Sequence, residues 1–249
     1  MQDIQAQEAI VFVSGMPCVW LNWHTAPVMH MSPPLFTEAC EDRDFAEWHQ
    51  GCPWCAVWVV RAEHAAVQAM VDGARAQIPS ALLPRYARQP HITVAYRGLM
   101  AGNTGHARAE FSAEQLVRDR AALQAAQLRP FTVEVGGAAS FTTVPYVAVA
   151  AQHTLLQAHD ALHAQAPYPG WQYVPHVTVG HYAKRLPMDA VLQALAQSPE
   201  NQASVTLEVD ALWLARYRTC DIAGPLFWEG RFDLRTQRYI AAPDALLEI

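Results

Sequence analysis

The sequence predicts an α+β fold built from two similar halves around a central cleft, and three observations carry that reading. The segment Pro-His-x-Thr-Val occurs twice, as Pro90-His91-Ile92-Thr93-Val94 and as Pro175-His176-Val177-Thr178-Val179. A valine-rich apolar run and a helical pattern precede each copy in the same order. Another helical pattern and another strand follow each copy. An internal repeat of strand, helix, strand, helix, strand yields a layered α+β structure with a pseudo-two-fold relation between its lobes.

The elements of the first half follow in order. Ala56-Val57-Trp58-Val59-Val60 reads as a buried strand. Val67, Met70 and Val71 mark one face of a helix, and a loop from Ile78 to Pro90 leads into the first motif. Ser112-x-x-Gln115 resembles a capping box at the start of the next helix, and Phe131-Thr132-Val133-Glu134-Val135 reads as the closing strand. Gly98, Gly102 and Gly105 punctuate a loop running to Glu110.

In the second half, Tyr146 to Ala150 reads as a strand, followed by a helix through Leu155, Leu156, Leu162 and Gln165. The loop from Pro167 to Pro175 leads into the second motif, and the next helix starts near Pro187, a residue favoured at a first helical position. Val205 to Val209 stands as the counterpart of Phe131 to Val135. Ala211 to Ala215 and Phe232 to Leu234 complete the sheets. The bilobal domain is expected over 51–249, with halves at about 51–135 and 141–234, a boundary in Gly136 to Ser140, and strands free to cross between lobes. Residues 1–50 match nothing in the repeat and read as an N-terminal extension.

Composition narrows the function classes. Hydrophobic residues make up 52% and charged residues 16% of 249 residues, an ordinary globular balance. No run of about 18 uninterrupted apolar residues suggests a membrane span. The start, Met1-Gln2-Asp3-Ile4-Gln5, lacks a basic region ahead of an apolar stretch, so the expected location is the cytoplasm. Formal net charge is −6, with Lys184 the one lysine. Gripping long duplex nucleic acid needs a broad cationic field, which this composition does not supply. A local arginine patch suits a small nucleotide or an RNA terminus. An odd number of cysteines, Cys18, Cys40, Cys52, Cys55 and Cys220, argues against a disulfide framework.

The two motifs carry the chemistry. Side chains alternate along a strand, so His91 and Thr93 share one face, as do His176 and Thr178. Facing lobes bring two imidazoles and two hydroxyls together. One neutral histidine then accepts a proton from the attacking hydroxyl or water, while the other, protonated, donates to the leaving oxygen. In-line displacement at phosphorus needs these groups on opposite sides. The threonine hydroxyls can hydrogen-bond the non-bridging oxygens in the transition state.

On these residues the chain resembles the 2H phosphoesterase superfamily, which includes 2'-5' RNA ligases and 2',3'-cyclic phosphodiesterases. The similarity covers about residues 55–234 and rests on His91-Ile92-Thr93-Val94, continuing Ala95-Tyr96-Arg97-Gly98, and His176-Val177-Thr178-Val179, continuing Gly180-His181-Tyr182. The resemblance implies two lobes of antiparallel sheet with flanking helices, catalysis by His91, Thr93, His176 and Thr178, and no metal or other cofactor. It also implies a monomer acting on a phosphodiester: a 2',3'-cyclic phosphate, a 2'-5' linkage made or broken reversibly, or a cyclic oligonucleotide. A catalytically silent nucleotide- or RNA-binding module on the same fold is the reading from another class. Many relatives carry arginine where this chain has His181, and Lys184 and Arg185 stand close enough in sequence to substitute.

Around the motifs, Arg85 and Arg88 before the first and Trp171 and Tyr173 before the second are candidates to hold substrate, with Tyr96, His181, Tyr182 and Arg185 after them. Aromatic faces stack on bases and arginines grip phosphate. The neighbouring Tyr86 and Tyr168 belong to the same loops. Three further features read more simply as structure. His159 and His163 have the i, i+4 spacing of metal-binding helices but no third ligand in view. Cys52-Pro53-Trp54-Cys55 has redox spacing but precedes a strand instead of opening a helix. Cys18, Cys40, Cys52 and Cys55, with His49, offer the donor types of a zinc site, against the plainer reading of buried reduced thiols.

Overall fold

The computed structural model describes residues 34–102, 105–164 and 173–247, the side chains of 201 and 202 aside. Among these residues, nine strands form one sheet in which every neighbouring pair is antiparallel. In chain order they are β1 Trp54–Arg61, β2 His91–Met100, β3 Phe131–Ser140, β4 Pro145–Val149, β5 His176–Thr178, β6 Ser204–Val209, β7 Ala211–Arg218, β8 Phe227–Asp233 and β9 Arg238–Ala241. In space they run β6-β3-β4-β5-β2-β1-β7-β8-β9. The two motif strands, β2 and β5, are therefore adjacent at the middle.

Four helices among the described residues cover one face of this sheet. They are α2 Ala65–Gln77, α3 Ala113–Ala126, α4 His153–His163 and α5 Met188–Leu195, and a one-turn helix, α1 Ala46–His49, precedes β1. Val67, Met70, Val71 and Ala74 of α2 recur at helical spacing and enter the main core with Leu116, Leu123, Leu155, Leu162, Val191 and Leu195 from the other three. Against them lie Ala56, Trp58 and Val60 of β1, while Cys55, Val57 and Val59 form a second cluster on the opposite face. Both faces of β1 are thus buried. That is why it reads as a continuous apolar run instead of an alternating one.

Capping follows the sequence in part. Ser112 Oγ accepts from Gln115 N at 3.4 Å, the expected half of the capping box. The Gln115 amide does not return the bond; it donates to Asp119 instead, at 3.1 Å. Pro187 takes the N-cap position of α5, one residue before the first helical position.

The glycine pair at 136–137 marks a bulge, not a boundary between lobes. β3 continues through it to Ser140, and its pairing with β4 shifts register between Val135 and Ala138. Gly137 sits at φ +78°, where a side chain would be strained. The strands also cross over. β3 follows the first motif in sequence, yet it pairs with β4 and β6 of the second half, and β7 returns to pair with β1. Phe131–Val135 and Val205–Val209 are consequently hydrogen-bonded partners, Phe131 opposite Val209 and Val135 opposite Val205. The strand placed beside β1 as β3 is placed beside β4 is β7. The expected loop at Gly98 is likewise part of β2, which extends to Met100. Gly98 adopts φ +88° with the Glu110 carboxylate where a Cβ would stand.

Residues 36–50 are woven into the domain. Phe36 bridges to Pro187, Thr37 N donates to Leu186 O at 2.8 Å, and Cys40 N donates to Tyr182 O at 2.7 Å. Thr37, Cys40 and Phe45 are buried. Truncation at residue 50 should therefore lower the unfolding midpoint relative to truncation at residue 33. Equal midpoints in thermal or urea melts would show that these contacts add no stability.

On the helix side, Asp119 joins three elements. Its buried carboxylate accepts from Trp58 Nε1 at 2.8 Å and from Arg97 at 2.5 Å, and Arg97 also donates to Leu162 O of α4 at 3.1 Å. Removing one partner of a buried ion pair leaves the other charge uncompensated, at a cost of about 3–5 kcal/mol. Asp119→Ala should lose about that much in urea unfolding, and Arg97→Met together with Asp119→Leu should lose less.

Candidate active site

Local chemistry repeats along with the sequence. In each motif a proline precedes the histidine, fixing its own φ and holding the residue before it extended. Pro90 O accepts from Ala62 N at 3.0 Å, and Pro175 O accepts from Val149 N at 3.3 Å. His91 Nδ1 lies 2.8 Å from Gln89 O, and His176 Nδ1 lies 2.8 Å from Val174 O. A carbonyl only accepts, so in both rings Nδ1 carries the proton and Nε2 is left with its lone pair.

The pairing of β2 with β5 brings the motifs together. Ile92 is registered opposite Val177, and both side chains enter the helix-side core. His91, Thr93, His176 and Thr178 therefore project from the other face. Extending the antiparallel register by one residue each way sets His91 across from Thr178 and Thr93 across from His176. Each histidine is thus flanked across the strand gap by the other motif's threonine. Phe141 and Tyr146 stand against the His176 ring, at centroid distances of 5.0 and 5.3 Å.

Beyond Thr93 the strand is irregular. Its pairing with β1 skips Val94 and then Arg97, so Val94 and Ala95 both face the helices and Tyr96 returns to the face of His91 and Thr93. There Tyr96 and Tyr217 pack with Cys55, and burial raises both phenols well above their ordinary range.

Burial dominates the electrostatics. It lowers His91 to about 4, helped by the positive charge of Arg88 and by His176. Burial lowers His176 as well, and it takes His181 to about 4 with Arg88 again contributing. Arg88 lies 3.9 Å above the Tyr217 ring and donates to Ile222 O at 2.6 Å. Its buried Nε has no hydrogen-bond partner among the described residues. A cation bearing on two histidines, with an unspent donor, is suited to an anionic ligand.

The other candidates divide. His181 lies with Arg88 and packs edge-on against Tyr86 at 5.3 Å. Arg85 is engaged elsewhere, with Asp42 on Nε and Nη2 at 3.0 and 2.7 Å and Asp221 on Nη1 at 2.6 Å. Tyr182 is fully buried in the helix-side core with its hydroxyl 2.6 Å from Ser140 Oγ. β5 ends at Thr178, and the irregular chain beyond it turns Tyr182 away from the histidines, where unbroken strand alternation would have kept it on their face. Tyr173 also packs on the helix side, stacked on His159 at 4.3 Å, and donates to Thr93 O at 2.7 Å. It supports the motif strand from behind. Arg185 lies over Phe36 at 3.7 Å, on the N-terminal segment. Trp171 and Tyr168 lie outside the described residues, as does Cys18.

Among the described residues no group of three or more His, Cys, Asp or Glu side chains is placed to hold a metal ion. His159 and His163 stack at 4.2 Å, and His163 Nδ1 donates to His159 O at 2.8 Å. Cys40, Cys52 and Cys55 are buried, and Cys52 and Cys55 are free thiols. Burial pushes Cys55 up to about 12 and raises Cys52, which makes both poor thiolates. Phe141, Tyr146, Tyr217 and the indoles of Trp213 and Trp228 on the same face were not singled out from sequence. The alternation of Leu212 to Tyr217 was the available signal. A cavity of about 300 Å³ lined by Gly102, His106, Phe111 and Leu246 contains none of the tetrad.

A family model described as the 2'-5' RNA ligase superfamily matches residues 60–220, spanning both motifs. The chain belongs to that superfamily. A search of curated proteins finds no match. Among solved structures, the chain is similar to TT0787 of Thermus thermophilus, at 18% identity and a TM-score of 0.46, covering 73% of this chain and 98% of that one. It is also similar to LigT of E. coli in apo form, at 17% identity and a TM-score of 0.47, covering 73% and 97%. A third, described as a phosphoesterase, is 14% identical with a TM-score of 0.41, covering 66% and 88%. No helix among the described residues of this superfamily member is long and apolar enough to cross a membrane.

Both motif histidines should be neutral in the Nδ1–H form at pH 7. Nitrogen-15 shifts of the imidazoles check this, and both should titrate below the ordinary value of about 6.5. Arg88→Gln should move His91 upward, because it removes a positive charge that opposes protonation. A motif ring protonated at pH 7 in the free protein would overturn this assignment.

Proposed function

We propose that this superfamily member is a metal-independent phosphodiesterase acting on a small nucleotide or RNA end, with a 2',3'-cyclic phosphate or a 2'-5' linkage as the bond cleaved. The observation that carries the reading is the pair of imidazoles, each anchored through Nδ1 to its own backbone and each presenting Nε2 from adjacent strands. In hydrolysis of a cyclic phosphate, one Nε2 accepts a proton from water as its oxygen attacks phosphorus. The P–O bond to one ribose oxygen breaks, and the other imidazole, protonated, donates to that oxygen. Thr93 and Thr178 are assigned to the non-bridging oxygens, and Arg88 with His181 to the phosphate charge. In the ligation direction the two histidines exchange roles.

The depressed histidines place a condition on this mechanism. Burial keeps both rings neutral near pH 7, yet one must be charged to act as acid. An anionic phosphate beside an imidazole raises its pKa, so bound substrate supplies the field that loads the proton. The pH profiles follow. The singly protonated pair in the free enzyme peaks below about 6.5, so kcat/KM should rise as pH falls through that value and turn down only where the second ring protonates, with His91 at about 4. The kcat profile, which reports the complex, should lie at higher pH.

Turnover of a nucleoside 2',3'-cyclic phosphate should survive a chelator. His91→Ala and His176→Ala should each lose about 100- to 10,000-fold in rate, and together less than the product of the two losses. Thr93→Ala and Thr178→Ala should lower kcat more than they raise KM. Loss of turnover on chelation, or near-native rates in a folded His91→Ala protein, would sink the two-histidine reading.

A further inference from the structure

The helix-free face continues past the motifs as a strip of indoles and arginines that the two-histidine chemistry does not use. Arg61 of β1 is registered opposite His91, and Val59 opposite Thr93. Val59 pairs in turn with Trp213 of β7, and Trp213 with Arg231 of β8. The neighbouring row runs from Tyr96 through Val57 and Ala215 to Trp228. Residues paired in this way share a face, so Trp213, Trp228, Arg61 and Arg231 belong to one surface with His91 and Thr93.

The four side chains are in contact. The indoles meet edge to face at 5.4 Å, and the Arg61 guanidinium carbon lies 4.7 and 4.8 Å from their two ring centroids. Arg231 approaches Trp213 from the other side at 5.6 Å. Trp213, Trp228 and Arg231 are half-buried and Arg61 is exposed. Glu63 accepts from the Arg61 Nε at 2.5 Å, so one edge of that guanidinium is held while its position over the rings is kept. Trp213 stands two strands from Thr93, roughly 10 Å at ordinary strand spacing. A nucleoside attached to the scissile phosphate spans that gap.

We propose that Arg61, Trp213, Trp228 and Arg231 form a subsite for the nucleotide flanking the scissile phosphodiester, so that the substrate is a single-stranded RNA end longer than a cyclic mononucleotide. The proposal rests on the phosphodiesterase reading above. Bases stack on aromatic rings and on guanidinium planes, and arginine adds a charge-assisted grip on phosphate. Two arginines gathered here make this strip locally complementary to a polyanion, which a net charge of −6 by itself would not attract. Stacking reads no base edge, so the subsite should accept any base with little preference.

The test compares a nucleoside 2',3'-cyclic phosphate with a six-nucleotide single-stranded RNA ending in the same group. Arg61→Gln with Arg231→Gln should reduce the ratio of kcat/KM for the RNA over that for the mononucleotide by about tenfold. Trp228→Leu, checked for native melting, should reduce it in the same direction. Binding of the hexamer is measured separately with the His91→Ala, His176→Ala protein, by anisotropy over a range of salt. There the two arginine changes should weaken affinity and lower the logarithmic salt slope by about 1.4, at roughly 0.7 per phosphate contact. A ratio unchanged in variants that only melt earlier would make the cluster purely structural and overturn the subsite. Should wild-type protein cleave neither substrate, arginine-dependent RNA binding still supports the subsite while the phosphodiesterase reading fails. RNA binding indifferent to these residues overturns the subsite whatever the activity.

Discussion

The face that carries both motifs depends on the pairing of β2 with β5 at Ile92 and Val177. This short contact does two things through one geometric rule. Because side chains alternate, the same two residues that enter the core between sheet and helices force His91, Thr93, His176 and Thr178 to the other side. A slip of one residue on either strand would turn a histidine into the helix-side core and expose Ile92 or Val177 in its place. Register is therefore held by hydrophobic burial, and the geometry of the four motif side chains inherits its precision from the core. The Nδ1 bonds to Gln89 O and Val174 O then fix each ring against its own strand.

His91 is buried and His176 half-buried, which disfavours the charged form of both, and Arg88 adds to this at His91. For stability the sign is clear. A histidine depressed in the folded state contributes stability above its unfolded pKa of about 6.5, and that contribution is lost as pH falls towards the folded value. His91, His163 and His181, each near 4 by burial, all act in this window. The protein thus bears an acid sensitivity as the consequence of dry, preorganised rings. In the proposed mechanism the same burial would strengthen the interaction with a bound phosphate, since a charge in a low-dielectric site is felt more strongly than in water.

Much of this was legible in the sequence because it is local. The duplicated Pro-His-x-Thr-Val segment specifies strand and face at once, and Val67, Met70 and Val71 reveal a helix by spacing alone. What was not legible depends on register or crossover. Gly136 and Gly137 look like a linker, yet they are a bulge within β3, because a positive φ is needed equally by a turn and by an extra residue in a ladder. Tyr173 and Tyr182 are aromatic and close to a motif, but which face they take is set by the irregular chain on either side of β5. Tyr217 and Trp213 lie far from both motifs in sequence and reach the active face only because β7 returns to β1.

That crossover also decides what kind of unit the protein is. A half made only of its own consecutive elements would hold β1 and β2 without β7, or β4 and β5 without β3. Each motif strand would then be left at the margin of a two-stranded ribbon, with an unpaired edge and too little buried surface to stand alone. Exchange of β3 and β7 gives each lobe its third strand from the other half of the sequence. The sheet can close around β2 and β5 only when both halves are folded. The two-histidine face is consequently formed in one cooperative event, and neither motif has its opposing threonine and its core partner until the other is in place.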